Sequence, residues 1–195
     1  RMTIQDTSST SAQEMGPEMQ LVLACARKTL NPDDAERIFG LCHDALDWSL
    51  FLRLLNRHRV MPLVWNSLKR IDDLSIPNDI SKILSNRAKK DLLVAFEQAA
   101  ELTRLIRCFE SDDIRVLSLK GPILAMQAYG TLKLRHTGDL DLLVEPADLW
   151  DADRILQDNG YLRTIPDYPL SPSQSTAYMK IRKDFSYIHP KTNIR

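Results

Sequence analysis

The sequence predicts an α+β protein with an α/β-like core: a helical N-terminal region followed by a small region of short strands and helices. Two observations predict it. From 17 to 113 the apolar residues recur at the helical period of 3.6. From Ile114 onward the pattern becomes short apolar runs punctuated by glycine and proline. With 195 residues, the chain can bury a substantial core in one or two domains. We divide it at 1–16, 17–113 and 114–195.

Residues 1–16 are polar and rich in Ser, Thr and Gln, and are expected to be mobile. Helices are expected at 18–30, 33–46, 48–58 and 62–71, with Pro32-Asp33-Asp34 starting the second. A long helix is expected at 77–110. Its apolar residues are Ile80, Ile83, Leu84, Leu92, Leu93, Phe96, Leu102, Leu105, Ile106 and Phe109, and Arg87, Lys89, Lys90, Arg104 and Arg107 line its polar parts. Those cations read either as a solvated face or as a basic wall beside a phosphate site.

Arg115-Val116-Leu117-Ser118-Leu119-Lys120-Gly121-Pro122 reads as a strand that stops at a turn. A short helix follows at 123–129 and ends at Gly130, with Pro122 suited to its first position. A glycine before a helix N-terminus lets backbone approach an anion, the helix dipole favours negative charge, and Lys120 adds a point charge there. Taken alone, Gly121 is a plain turn glycine.

Gly138-Asp139-Leu140-Asp141-Leu142-Leu143-Val144 places two acids one residue apart before an apolar run. On a strand, residues i and i+2 share a face, so Asp139 and Asp141 are expected to project together. Adjacent carboxylates repel unless a cation sits between them, and hard oxygen ligands favour Mg²⁺. A solvated acidic strand edge, or a turn role for Asp139, is the other reading.

The remaining elements follow in order. Glu145-Pro146-Ala147-Asp148 starts a helix that runs to Asn159 and ends at Gly160, the acids suiting its first turn. A short strand is expected at 161–163. With three prolines, 165–176 reads as a loop that could cover a ligand. Lys180 and Arg182 alternate with Ile181 and could reach phosphate, though they read first as strand-edge charge. Strand 185–189, turn 190–193 and a returning strand at Ile194-Arg195 complete the chain. His136 reads as a loop residue, and His189 as strand surface or as facing a site.

Composition excludes several classes. Formal net charge is zero with a pI of about 7.1, which argues against general nucleic-acid binding. No apolar run approaches the ~20 residues that span a bilayer, and no signal-peptide order opens the chain. Cys25, Cys42 and Cys108 are widely spaced without C-x-x-C, as reduced buried thiols of a cytoplasmic protein would be. No His/Cys metal cluster is visible.

Leu119-Lys120-Gly121, the helix end Tyr129-Gly130, Arg135 and Gly138-Asp139-Leu140-Asp141-Leu142-Leu143-Val144 resemble the signature of the DNA polymerase beta-like nucleotidyltransferase superfamily. More narrowly, the chain resembles the bacterial uncharacterised nucleotidyltransferase family. Arg57-His58-Arg59-Val60-Met61-Pro62-Leu63-Val64 is similar to that family's helical N-terminal region, and the likeness runs from about Trp48 onward. The resemblance implies a small mixed-sheet nucleotidyltransferase core, an NTP substrate such as ATP, and two Mg²⁺ ions held by the catalytic acids Asp139 and Asp141. The product would be a nucleoside monophosphate on an unknown acceptor: a small molecule, peptide or protein.

By the same resemblance, Lys120, Gly121 and Arg135 would bind the nucleotide. Pro122 stands where relatives often have Gly or Ser, which removes one backbone N–H. A third acid would lie just beyond Arg195 in a C-terminally truncated chain, with Asp184 its best substitute within the sequence. Two alternatives accompany the enzyme. One is a catalytically inactive relative that binds a nucleotide or partner; the other is a helical interaction module built on 17–113.

Overall fold

Local hydrogen-bonding signals place most helix starts. In the computed structural model, residues 15–182 and 184–195 are described; the expected mobile N-terminus lies outside them apart from Met15 and Gly16. Helix α1 spans Pro17–Cys25 and α2 spans Pro32–His43. The Asn31 side chain accepts from Asp34 N–H at 2.7 Å and the Asp34 carboxylate accepts from Asn31 N–H, a reciprocal capping box. Helix α3, Trp48–His58, starts at Asp47, whose carboxylate accepts from Leu50 N–H at 2.9 Å. It stops at Arg59, a left-handed residue with φ of 56°. Helix α4 covers Met61–Leu68. The first two helices end earlier than expected, because Ala26 and Asp44 leave helical geometry before the apolar pattern runs out.

Helix α5 spans Asn78–Ser111, 34 residues. The chain forms two compact units, and the division passes through this helix. One unit comprises Arg1–Ala95 with Ala125–His136; the other comprises Phe96–Leu124 with Thr137–Arg195. The first unit is built on Leu21, Cys25, Ile38, Phe51, Leu55, Val64 and Leu84. The Ser67 hydroxyl donates to Cys25 C=O at 2.7 Å within it. Burial pushes the Cys42 thiol up to about 11 and the Cys25 thiol higher still, so both are unreactive at neutral pH. A short 3-10 turn, Leu132–Leu134, packs against α4.

In the second unit, β1 (Val116–Ser118) pairs antiparallel with β2 (Leu142–Val144), with Leu117 opposite Leu143. Opposite residues share a face. Val116, Leu142 and Val144 pack on the core of Leu105, Phe109, Ile114, Ala152, Ile155 and Tyr161, whereas Leu117 and Leu143 are exposed. Helix α6 covers Gly121–Tyr129. A 3-10 turn, Pro146–Asp148, leads into α7, Leu149–Asp158. Strand β3 (Leu162–Ile165) pairs antiparallel with β4 (Ser186–Ile188). Asp153 of α7 ties this pair down, accepting from Tyr187 Oη at 2.7 Å and pairing with Arg163 at 3.3 Å. Among the described residues the strands therefore form two antiparallel pairs, and the α+β class holds. Among the described residues no helix is long and apolar enough to cross a membrane.

Two expectations are corrected. The loop expected at 165–176 contains the start of α8, Pro172–Ile181. Ser171 and Gln174 make a capping box and Pro172 occupies the first turn, a start signal hidden among the prolines. Lys180 consequently lies on a helix, and Arg182 caps its end by donating its N–H to Tyr178 C=O at 2.7 Å; neither is a strand-edge charge.

Glu101 of α5 anchors the second unit. It accepts from Arg104 Nε at 2.9 Å, Arg104 Nη2 at 2.6 Å and Tyr161 Oη at 2.9 Å. The Arg104 hydrogen bonds hold its carboxyl below the usual range against the opposing effect of burial; the Tyr161 hydroxyl and the charge of His189 lower it further. Burial and the same hydrogen bond push the Tyr161 hydroxyl up. The folded value lies below the unfolded one of about 4.3, so the carboxylate stabilises fully above that pH and loses its effect as pH falls through the folded value. Glu101→Gln is therefore expected to cost about 1–2 kcal/mol at neutral pH, with the difference shrinking below about pH 4. Urea denaturation of both proteins across that range checks it; a cost independent of pH would assign the effect to shape rather than charge.

Candidate functional site

Residues flanking β1 and β2 converge because the ladder continues one step past the strands. Leu119 N–H donates to Asp141 C=O at 3.0 Å, next to the Ser118–Leu142 pair. That register carries Lys120 to Asp141, and Lys120 Nζ lies 3.4 Å from Asp141 Oδ2. The lysine is 62 % exposed and the aspartate 38 %. Gly121 opens α6 at φ of +59°, in the left-handed region that side chains rarely adopt. A Cβ on it would lie 3.3 Å from the Asp139 carbonyl oxygen. The Lys-Gly turn and the Asp-x-Asp segment are thus in direct contact.

Asp139 and Asp141 precede β2, which begins at Leu142, and are not within the strand as expected. The segment is held by single backbone bonds instead of a continuous ladder. Leu119 serves Asp141, and Arg195 C=O accepts from Leu140 N–H at 2.8 Å. Asp139 is exposed and Asp141 half-buried.

The remaining expected residues lie on other segments. Arg135 follows the 3-10 turn in the first unit with extended backbone and is half-buried. His136 in that unit is 3.4 Å from the buried carboxylate of Asp91, which Arg87 also meets at 3.3 Å. Asp184 is exposed, two residues before β4, and its carbonyl accepts from Tyr178 Oη at 3.4 Å. The structure does not gather Asp184 with Asp139 and Asp141: no three His, Cys, Asp or Glu residues among those described are grouped to hold a metal. The donor set still suits Mg²⁺, which commonly takes one or two protein carboxylates and completes its shell with phosphate oxygens and water. His189 stacks edge-on to Tyr161 at 5.2 Å.

Two buried polar residues of α5 escaped the sequence reading. Asp91 and Gln98 lie on the line of Leu84, Ala95, Leu102, Leu105 and Phe109, while Leu93 and Phe96 are 64 % and 56 % exposed. The steps along that line, three, four or seven residues, are helical repeats. A polar residue on such a line was the available signal; the apolar character of Leu93 and Phe96 masked it.

The uncharacterised nucleotidyltransferase family matches residues 44–192. The chain belongs to that family. Nucleotidyl transfer is accordingly its general chemistry and a nucleotide its substrate class. No curated protein and no solved structure matches the chain. Within the matched span of this nucleotidyltransferase lie Lys120, Gly121, Arg135, Asp139, Asp141 and Asp184.

Proposed function

We propose that the chain is a Mg²⁺-dependent nucleotidyltransferase that moves a nucleoside monophosphate from an NTP to a hydroxyl or phosphate acceptor on a small molecule, peptide or protein. One observation carries this: the Lys120-Gly121 turn lies against the Asp139–Asp141 segment, joined by the 3.4 Å ion pair and the close Gly121 packing. On this reading the turn would receive phosphate beside two hard oxygen donors.

Asp139 and Asp141 would hold Mg²⁺, which when bound neutralises phosphate charge and favours departure of pyrophosphate. Lys120, on a flexible and exposed stem, exchanges Asp141 for a phosphate oxygen when nucleotide arrives. The N-terminus of α6 adds its dipole at the same place. In the reaction the acceptor oxygen bonds to the α-phosphorus, the α–β bridging P–O bond breaks, and the acceptor proton passes to solvent.

Calorimetry with each of the four common NTPs, with and without Mg²⁺, tests the reading. Metal-dependent binding with a micromolar to millimolar Kd is expected, and binding that ignores Mg²⁺ overturns it. Pro122, which offers no N–H to phosphate, favours a second reading in which the protein binds nucleotide or a partner without transfer. Release of pyrophosphate in the presence of cell extract as acceptor source separates the two.

A further inference from the structure

Gln98 of α5 is 2 % exposed, and its Nε2 donates to Gly138 C=O at 2.8 Å. A carbonyl oxygen only accepts, so this contact fixes which end of the amide faces Gly138. The other end, Oε1, is buried and without a partner among the described residues, as is Oγ1 of Thr137, the residue before Gly138. Buried polar atoms left unpaired are costly. Gln98 also interrupts an apolar line that continues through Leu102, Leu105 and Phe109. Packing at this position calls for a hydrocarbon side chain; the amide instead grips the carbonyl immediately before Asp139.

Among the described residues, three hydrogen bonds hold the backbone of 138–141: Gly138 C=O by Gln98, Leu140 N–H by Arg195 C=O, and Asp141 C=O by Leu119 N–H. Of these three, the first comes from a side chain, and the Lys120–Asp141 ion pair meets the segment at a side chain instead. We infer that Gln98 is a positioning residue, which clamps Gly138 and so fixes the backbone that presents Asp139 and Asp141. This rests on reading the two acids as metal ligands. Placement matters there, because displacement of a ligand by about 1 Å costs up to about 100-fold in function.

Gln98→Met keeps length and helix propensity while removing the donor, and Gln98→Glu keeps the shape but presents an acceptor to an acceptor. Should one variant fail to fold, the other carries the test. Two readouts on the full chain are needed: amide hydrogen exchange across 138–142, and Mn²⁺ binding with ATP followed by electron paramagnetic resonance. The expected result is exchange in that segment about tenfold faster and Mn²⁺ bound about tenfold more weakly, with the melting temperature retained. Unchanged exchange overturns the clamp whatever the metal does. Faster exchange with unchanged Mn²⁺ affinity overturns the positioning of the ligands. A wild-type chain that binds no Mn²⁺ with ATP overturns the nucleotidyltransferase mechanism itself, and with it the positioning role.

Discussion

Asp139→Asn with Asp141→Asn is expected to abolish Mg²⁺-dependent nucleotide binding and to lower transfer by about 1,000-fold or more. The amide keeps the size of each side chain and removes its charge. Losing both charges removes several kcal/mol of the stabilisation a bound metal provides, and each 1.4 kcal/mol is tenfold in rate. The fold should tolerate the change. Asp139 is exposed and the Asp141–Lys120 pair is largely solvated, so the pair contributes at most about 1 kcal/mol to stability. Calorimetry with Mg²⁺–ATP alongside thermal melting checks both halves. Full binding by the double variant would remove the two acids from the mechanism.

Gly121→Val is expected to destabilise the protein by about 2 kcal/mol or more and to eliminate nucleotide binding. A β-branched residue is strongly disfavoured at φ of +59°. Its Cβ would also press on the Asp139 carbonyl at 3.3 Å, so one of the two segments must move. Gly130 provides the comparison: its φ is +71°, and a Cβ there meets nothing within 4 Å. Gly130→Ala should therefore show the backbone strain alone, about 1 kcal/mol, and retain binding. Chemical denaturation and nucleotide titration of both variants measure the difference. Equal behaviour at the two positions would mean that the contact with Asp139 is immaterial.

Where a signal acts within one turn, the sequence was readable. Helix α3 covers Trp48–His58 as expected, and α2 starts at the expected Pro32-Asp33-Asp34, where Asn31 supplies the cap. The same kind of signal is present at Ser171, but three nearby prolines give the segment the composition of a loop. In α5 the period holds and Ile80, Leu84, Leu102, Leu105 and Phe109 are buried as expected, whereas Ile83, Leu93 and Phe96 are exposed. Apolar character favoured Leu93 and Phe96, yet burial of Leu84 at one end and of Leu102, Leu105 and Phe109 at the other carries Asp91, Ala95 and Gln98 inward. A helix is stiff, so its buried line is chosen by its whole length rather than by its most apolar segment.

Local sequence signals were enough for the α+β class, the order of the main helices and strands up to β3, and the two motifs, Lys120-Gly121 and Asp139-Leu140-Asp141. Each depends on residues adjacent along the chain, whose backbone preferences and hydrogen bonds are local. Three contacts depend on the folded chain: Lys120 pairs with Asp141, Gly121 abuts the Asp139 carbonyl, and Gln98 reaches Gly138 across 40 residues. Such contacts require the closure of long loops, and their partners are selected by strand register and by the shared core of the unit.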